Sequence, residues 1–167
     1  GYVLPTVYQG NYNAVSRKIE KDLFPVLREL KIAFYAYSPI AGGFLARTSQ
    51  EIEEGVKGRF DKSTQIGQMY QKLYNRPSLL KALQEWNKIA EKAGVSKAAL
   101  AYRWIAYHSA LREEYGDAVI IGGRTPGQVS ETLEAIVEGL LKDGIAAQIE
   151  NVWELVKDEA PVDNYSF

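Results

Sequence analysis

The chain has 167 residues, 46% of them hydrophobic and 25% charged, the proportions of a globular domain and not of a disordered tail. Twenty Lys and Arg against 21 Asp and Glu leave a formal charge of -1, which argues against sequence-independent nucleic-acid binding. No apolar run reaches the roughly 18 residues of a membrane span. The absence of cysteine excludes disulfides, thiolate catalysis and Cys-ligated metals, and with one histidine, His108, no His-based metal site is expected.

The chain opens Gly1-Tyr2-Val3-Leu4, without an initiator Met or a signal peptide, and reads as the continuation of something longer. Thr, Val and Tyr between Pro5 and Tyr12 predict a strand over 3–9, closed by Gly10. Ser16 is placed as the N-cap of a helix over 17–30, where Ile19, Leu23, Val26, Leu27 and Leu30 recur at helical spacing and Pro25 is a local irregularity. Ile32-Ala33-Phe34-Tyr35-Ala36-Tyr37 is a nearly continuous apolar run, as in strands buried on both faces of a parallel sheet. Ser38-Pro39 stops it. After Ala41-Gly42-Gly43, about thirty residues lack clear periodicity up to Asn75, a length that suggests a functional insertion or lid.

Helical spacing returns at Pro77, where Leu79, Leu80, Leu83, Trp86, Ile89 and Ala90 form one stripe ended by Gly94. Ser96 caps a second helix through about Leu111. Asp117-Ala118-Val119-Ile120-Ile121 is a third apolar run, stopped by Gly122-Gly123. Thr125-Pro126 opens a helix with Val129, Leu133, Ile136 and Val137 on one face, and a last helix covers about 144–159. Alternating strands and helices predict an α/β protein whose parallel sheet is covered by helices. Three strands are too few to close a barrel, and a complete (β/α)8 barrel takes about 250 residues. Three consecutive βα units of something larger are expected.

In parallel α/β folds, ligands bind at the carboxyl ends of the strands. Two loops there are rich in glycine, Tyr37 to Gly43 and Gly122 to Gly127. Glycine lets backbone N–H groups approach an anion, and a helix N-terminus beside Arg124 and Thr125 suits a phosphate. Ordinary βα turns have the same composition. No Gly-x-Ser-x-Gly elbow exists for a serine triad. Glu53-Glu54, Glu113-Glu114 and Asp158-Glu159 are adjacent pairs that diverge on a helix and are solvated. Tyr70 and Tyr74, one helical turn apart, either line a substrate lid or pack. His108 shares a helical stripe with Leu100, Trp104 and Leu111 and is read as a partly buried structural histidine. Asn164-Tyr165-Ser166 matches a glycosylation sequon by chance.

Thr6-Val7-Tyr8-Gln9-Gly10-Asn11-Tyr12-Asn13, followed by Phe34-Tyr35-Ala36-Tyr37-Ser38-Pro39-Ile40-Ala41-Gly42-Gly43, resembles the sixth and seventh strands of an aldo-keto reductase. Ala118-Val119-Ile120-Ile121-Gly122-Gly123-Arg124-Thr125-Pro126, with Gln128, resembles the eighth strand and its loop. Gly58-Arg59-Phe60 and the stretch from Arg103-Trp104 to His108-Ser109 resemble the aflatoxin-aldehyde reductase branch. The resemblance implies a partial (β/α)8 TIM barrel of about three parallel strands, the sixth to the eighth. Residues 1–167 would then be the carboxyl-terminal half of a cytoplasmic, NADPH-dependent reductase of aldehydes and ketones.

Site residues follow from the same resemblance. Gln9 would hydrogen-bond the nicotinamide carboxamide, and the Tyr37 ring would stack on the nicotinamide. Ser38, Pro39, Ile40, Ala41, Gly42 and Gly43 would line the pyrophosphate, with Arg59 closing over the phosphates. Gly122 belongs to the eighth-strand loop, where Arg124 and Thr125 would meet the 2′-phosphate. Gln128, Glu131 and Thr132 would lie near the adenosine; Thr132 stands where related sequences carry Asn, which weakens the adenine contact. The chain ends Asn164-Tyr165-Ser166-Phe167, whereas the branch that accepts carboxylated aldehydes ends near an Arg. The family's tetrad of Asp, Tyr, Lys and His lies on its first four strands, which this sequence does not hold. No catalytic residue and no metal ligand is therefore assigned, and the chain alone is expected to be inactive. Its expected partners are a small carbonyl substrate in the parent and, at bare sheet edges, a second copy or the missing amino-terminal half. Neither nucleic acid nor membrane is expected. The alternative is a non-catalytic half-barrel that binds nucleotide or self-associates.

Overall fold

Strands β1 (Val7–Asn11), β2 (Ala33–Tyr37) and β3 (Ala118–Val119) pair in the order β1-β2-β3, all parallel. Register runs from Val7↔Ala33 to Asn11↔Tyr37, and from Tyr35↔Ala118 to Ala36↔Val119. The computed structural model describes residues 2–55 and 57–164. Helices α1 (Ile19–Glu29), α2 (Ser49–Glu54), α3 (Gln65–Tyr74), α4 (Pro77–Ala93), α5 (Lys97–Tyr107), α6 (Pro126–Val137) and α7 (Ile145–Val156) accompany this sheet, with α1 packed on β2, α4 on α7 and α5 on α6. Short 3-10 turns lie at Ala41–Ala46 and Glu113–Tyr115. Among the described residues no helix is long and apolar enough to cross a membrane.

Side chains alternate along each strand. Phe34 and Ala36 of β2 are buried beneath the helices, where Phe34 meets Phe24 at 4.9 Å and Tyr12 at 6.0 Å between ring centroids. The register partners Gln9 and Tyr35 point to the other face and are exposed. The expectation that β2 is buried on both faces is therefore wrong: only its helix side is packed. Asp117, at the entrance to β3, has a fully buried side chain. It accepts from Arg28 Nη1 at 2.9 Å, Arg28 Nη2 at 2.5 Å, Phe34 N at 2.9 Å and Arg112 N at 2.9 Å. One carboxylate thus ties β3 to α1 and β2.

Several boundaries differ from those expected. The first strand covers Val7–Asn11 and not 3–9, because the ladder to β2 begins where Ala33 N donates to Thr6 O, and Val3 and Leu4 lie out in solvent. Gly10 does not close it but lies against Phe34, with no room for a Cβ. Ser16 does not cap α1, whose N-cap is Lys18; the Ser16 hydroxyl instead donates to Pro161 O. The expected unstructured stretch before Asn75 contains α2 and α3. Thr48 and Glu51 form a capping box at the first, and Thr64 caps the second. The second capped helix ends at Tyr107 instead of Leu111, the third strand has two residues instead of five, and the last helix covers Ile145–Val156 instead of 144–159.

Candidate active site

The parallel ladder sets the carboxyl ends of β1, β2 and β3 side by side, about 5 Å apart per strand. Ile120 N donates to Ala36 O, so the chain leaving β3 runs level with the end of β2 before it turns at Gly122. Gln9 and Tyr37 belong to one cavity of about 390 Å³, together with Tyr8, Asn11, Val162 and Asp163.

The turn after β2 is strained. Ser38 (φ 57°) and Ala41 (φ 53°) adopt left-handed backbone beside Gly42 (φ 66°) and Gly43 (φ 103°). Such strain persists only where the surroundings over-determine it. Here Ala41 N donates to Ser38 O, Asn13 Nδ2 donates to the same oxygen at 3.1 Å, and Asn164 Nδ2 donates to Ser38 Oγ at 3.1 Å. Pro39 and Ala41 are buried, anchoring the turn beneath. A Cβ on Gly43 would meet nothing within 4 Å, so its backbone borders open space that a ligand can approach closely. A Cβ on Gly42 would strike the Tyr70 ring.

Tyr70 and Tyr74 resolve toward packing. Their rings stack at 6.0 Å, buried with Phe44 and Phe60. Burial drives the Tyr74 hydroxyl well above the ordinary phenol range, and Tyr70 and Tyr37 nearby add to this. It stays protonated at neutral pH. Arg59, exposed, donates from Nη1 to Tyr70 Oη at 3.1 Å and lies over its ring. Tyr70 therefore links Arg59 to the turn at Gly42.

On the β3 side, Thr125 is the N-cap of α6: its hydroxyl accepts from Gln128 N at 3.3 Å, with Pro126 in the first turn. Gln128 returns the contact, its Oε1 accepting from Arg124 N at 2.8 Å. Gly122, Arg124 and Glu131 are exposed around this helix start. The Thr132 hydroxyl donates to Gln128 O at 2.9 Å, a bond within the helix. The loop thus holds itself in shape while the Arg124 side chain and the α6 N-terminus face outward.

His108 is structural. It ends α5, and its Nε2 accepts from Leu141 N at 3.0 Å. Leu111, outside α5, does not share its stripe. The adjacent acidic pairs named above are exposed. Of the sequon, Asn164 is buried, while Tyr165 and Ser166 lie outside the described residues. Residues not expected at the site are Asn11, Asn13, Val162, Asp163 and Asn164. Asn11 and Asn13 lie with Gln9 in the motif of the first strand; the last three come from the far end of the chain, with no local signal.

The donor set suits a dinucleotide: an amide and a phenol ring beside a cavity, an open glycine backbone next to it, and a cationic helix start two strands away. The sequence model of the Aldo/keto reductase family matches residues 1–154. The oxidoreductase sirO of Leptosphaeria maculans is 41% identical over 160 residues, 96% of this chain and 48% of that protein. Aflatoxin B1 aldehyde reductase member 2 of Homo sapiens is 36% identical over 168 residues, 96% of this chain and 46% of that protein. Among solved structures, a glycerol dehydrogenase of Gluconobacter oxydans superimposes with a TM-score of 0.63 at 25% identity, over 96% of this chain and 45% of its own. The chain spans about half the length of the curated relatives it matches. With three parallel strands and helices laid out as in part of a (β/α)8 barrel, the chain belongs to the aldo/keto reductase family.

Proposed function

We propose that this chain supplies the cofactor-binding part of an NADPH-dependent reductase that converts aldehydes and ketones to alcohols. The observation that carries the proposal is the strained turn Ser38–Gly43, open at Gly43 and adjoining Gln9 and Tyr37. When bound, the cofactor supplies the hydride. Gln9 orients its carboxamide, and the Tyr37 ring fixes the plane of the nicotinamide. The turn admits the pyrophosphate against bare backbone, and Arg59, braced on Tyr70, covers it. Arg124 and the α6 N-terminus favour a 2′-phosphate, because a guanidinium and free helix N–H groups each stabilise an anion. Glu131 and Thr132 lie further along the same helix, toward the adenosine.

In this reading the proton that hydride transfer to a carbonyl requires comes from outside this chain. Tyr74 is sealed in the aromatic cluster, and His108 is committed to Leu141 N. The chain is proposed to depend on an Asp, Tyr, Lys and His contributed by an amino-terminal half. Association is favoured by a specific observation: Tyr2, Val3 and Leu4 are 77% to 100% exposed, next to a β1 whose outer edge is unpaired in the three-stranded sheet. The partner is either that half or a second copy.

The test is NADPH oxidation with a reactive aromatic aldehyde, run beside a thermal shift with NADPH. We expect no turnover by the chain alone and a raised melting temperature with the nucleotide. Turnover comparable to that of a complete family member overturns the division of labour; no thermal shift at millimolar NADPH overturns the cofactor assignment.

A further inference from the structure

Ser38 holds a conformation that is disfavoured twice. Its φ of 57° is left-handed, which residues other than glycine avoid, and Pro39 pushes the residue before it toward extended backbone. Such a conformation persists when partners outside the turn hold it. One such partner is Asn13, fully buried in the loop after β1 and 25 residues away. The orientation of its amide follows from the groups it meets. Oδ1 lies 3.1 Å from Val15 N, a donor, and Nδ2 lies 3.1 Å from Ser38 O, an acceptor. A flipped amide would set donor against donor and acceptor against acceptor. The backbone of Asn13 is pinned as well, its N–H donating to Ser16 O at 3.3 Å and its C=O accepting from Ser16 N at 3.0 Å. The Asn13 carboxamide is thus fixed on its own loop and spans to the next strand's turn through Nδ2.

Ser38 O also accepts from Ala41 N at 2.8 Å, which closes the turn leading to Gly42 and Gly43. The Asn164 bond reaches the Ser38 hydroxyl and leaves the direction of the carbonyl unconstrained. Asn13 acts on the carbonyl itself, and so on the path of the backbone toward the open position at Gly43. We propose that Asn13 is a positioning residue for the cofactor: it touches no part of the dinucleotide, but holds Ser38 O so that the backbone at Gly43 meets the pyrophosphate. The inference rests on the reductase reading, which puts a pyrophosphate at that turn.

Two substitutions isolate the hydrogen that Nδ2 supplies. Asn13→Asp keeps an acceptor for Val15 N, yet as a carboxylate it has no hydrogen for Ser38 O; protonated, it has the shape of the amide and donates again. Asn13→Ser keeps a local acceptor, is neutral and falls short of Ser38 at every pH. Both partners of the carboxamide are backbone groups, which do not titrate. NADP+ is titrated into each full chain by tryptophan fluorescence, and each affinity is read as a ratio to the parent at the same pH. Groups common to both chains, such as His108 and the 2′-phosphate, then cancel. At about pH 8 both variants should bind about tenfold more weakly than the parent, the size of one lost hydrogen bond in a buried site. At about pH 5 Asn13→Asp should recover to within about twofold, because burial favours its neutral form, while Asn13→Ser should not recover. In the free variants, hydrogen exchange at Ala41 N, bonded to Ser38 O, should quicken about fivefold more than at Leu100 N, bonded to Ser96 O in α5.

A loss in Asn13→Asp that is equal at both pH values, or affinities of both variants within about twofold of the parent, overturns the role. If Asn13→Asp does not fold at the higher pH, the affinity and the exchange ratio of Asn13→Ser decide. A parent chain that binds no NADP+ refutes the reductase reading and this role together. Parent binding with unaffected variants refutes the role alone.

Discussion

Tyr70 rests on Gly42 so closely that a Cβ on that glycine would fall 2.1 Å from Tyr70 Cε1. Gly42 also has φ 66°, so alanine there meets both a clash and backbone strain, whereas Gly43 (φ 103°) would meet strain alone. Gly42→Ala should cost about 2 kcal/mol or more in urea denaturation, exceeding Gly43→Ala by about 1 kcal/mol. Equal losses would mean that the ring contact is not what fixes the turn.

The Arg28–Asp117 pair offers a second check on the fold. Asp117→Ala leaves Arg28, 18% exposed, and two backbone N–H groups without their acceptor, and should cost about 3–5 kcal/mol. Asp117→Asn keeps the shape and should cost less. Denaturant midpoints of the two variants decide this, and a loss below about 1 kcal/mol for Asp117→Ala would show that β3 is held by other contacts.

His108 gives the acid limb of stability a sign. Burial, with the charge of Arg103 adding to it, holds the imidazole below its ordinary value of about 6.5. The unfolded chain takes up its proton first as pH falls. This contribution is complete above about 6.5, declines below that value and levels off once pH is below the folded-state value. His108→Gln should flatten the stability profile in that window. Glu51, lowered chiefly by the backbone N–H of Thr48, loses its contribution separately, in the more acidic carboxylate range. A profile unchanged by His108→Gln would assign the limb to other groups.

The helices and the parallel sheet were legible because each rests on local signals. Thr125-Pro126 marks a helix start, Gly94 a helix end, and the apolar runs ending at Ser38 and Gly122 the strands. The helices α2 and α3 are not evident in the sequence because α2 has only six residues, and because the buried face of α3 is made by Gly67, Tyr70, Leu73 and Tyr74, of which only Leu73 is aliphatic. Ser16 has the side chain of a cap, yet a long-range bond to Pro161 claims its hydroxyl. Such a competition cannot be read from neighbours in sequence. Gln9, Tyr37 and the turn to Gly43 were placed through motif resemblance, whereas Val162 and Asp163 reach the cavity only through the tertiary path of the chain's end.

Association is predicted from exposed surface. Tyr2, Val3 and Leu4 lie in solvent, Tyr35 is 36% exposed on the uncovered sheet face, and Val137 and Leu140 are 83% and 65% exposed. Bare edges and apolar faces recruit other chains. Sedimentation velocity over a range of concentrations should show a dimer or a larger species that forms as concentration rises. An 18.7 kDa monomer at every concentration would contradict it.

The Gly-rich turns and the start of α6 are proposed to hold a phosphorylated nicotinamide dinucleotide, and parallel titrations with NADPH and NADH test this. Fluorescence quenching should report tighter binding of NADPH by about tenfold, the size of a charge-assisted guanidinium–phosphate contact. Arg124→Ala should abolish that preference while leaving NADH unaffected. Equal quenching by both nucleotides, or a preference that survives Arg124→Ala, would contradict the account.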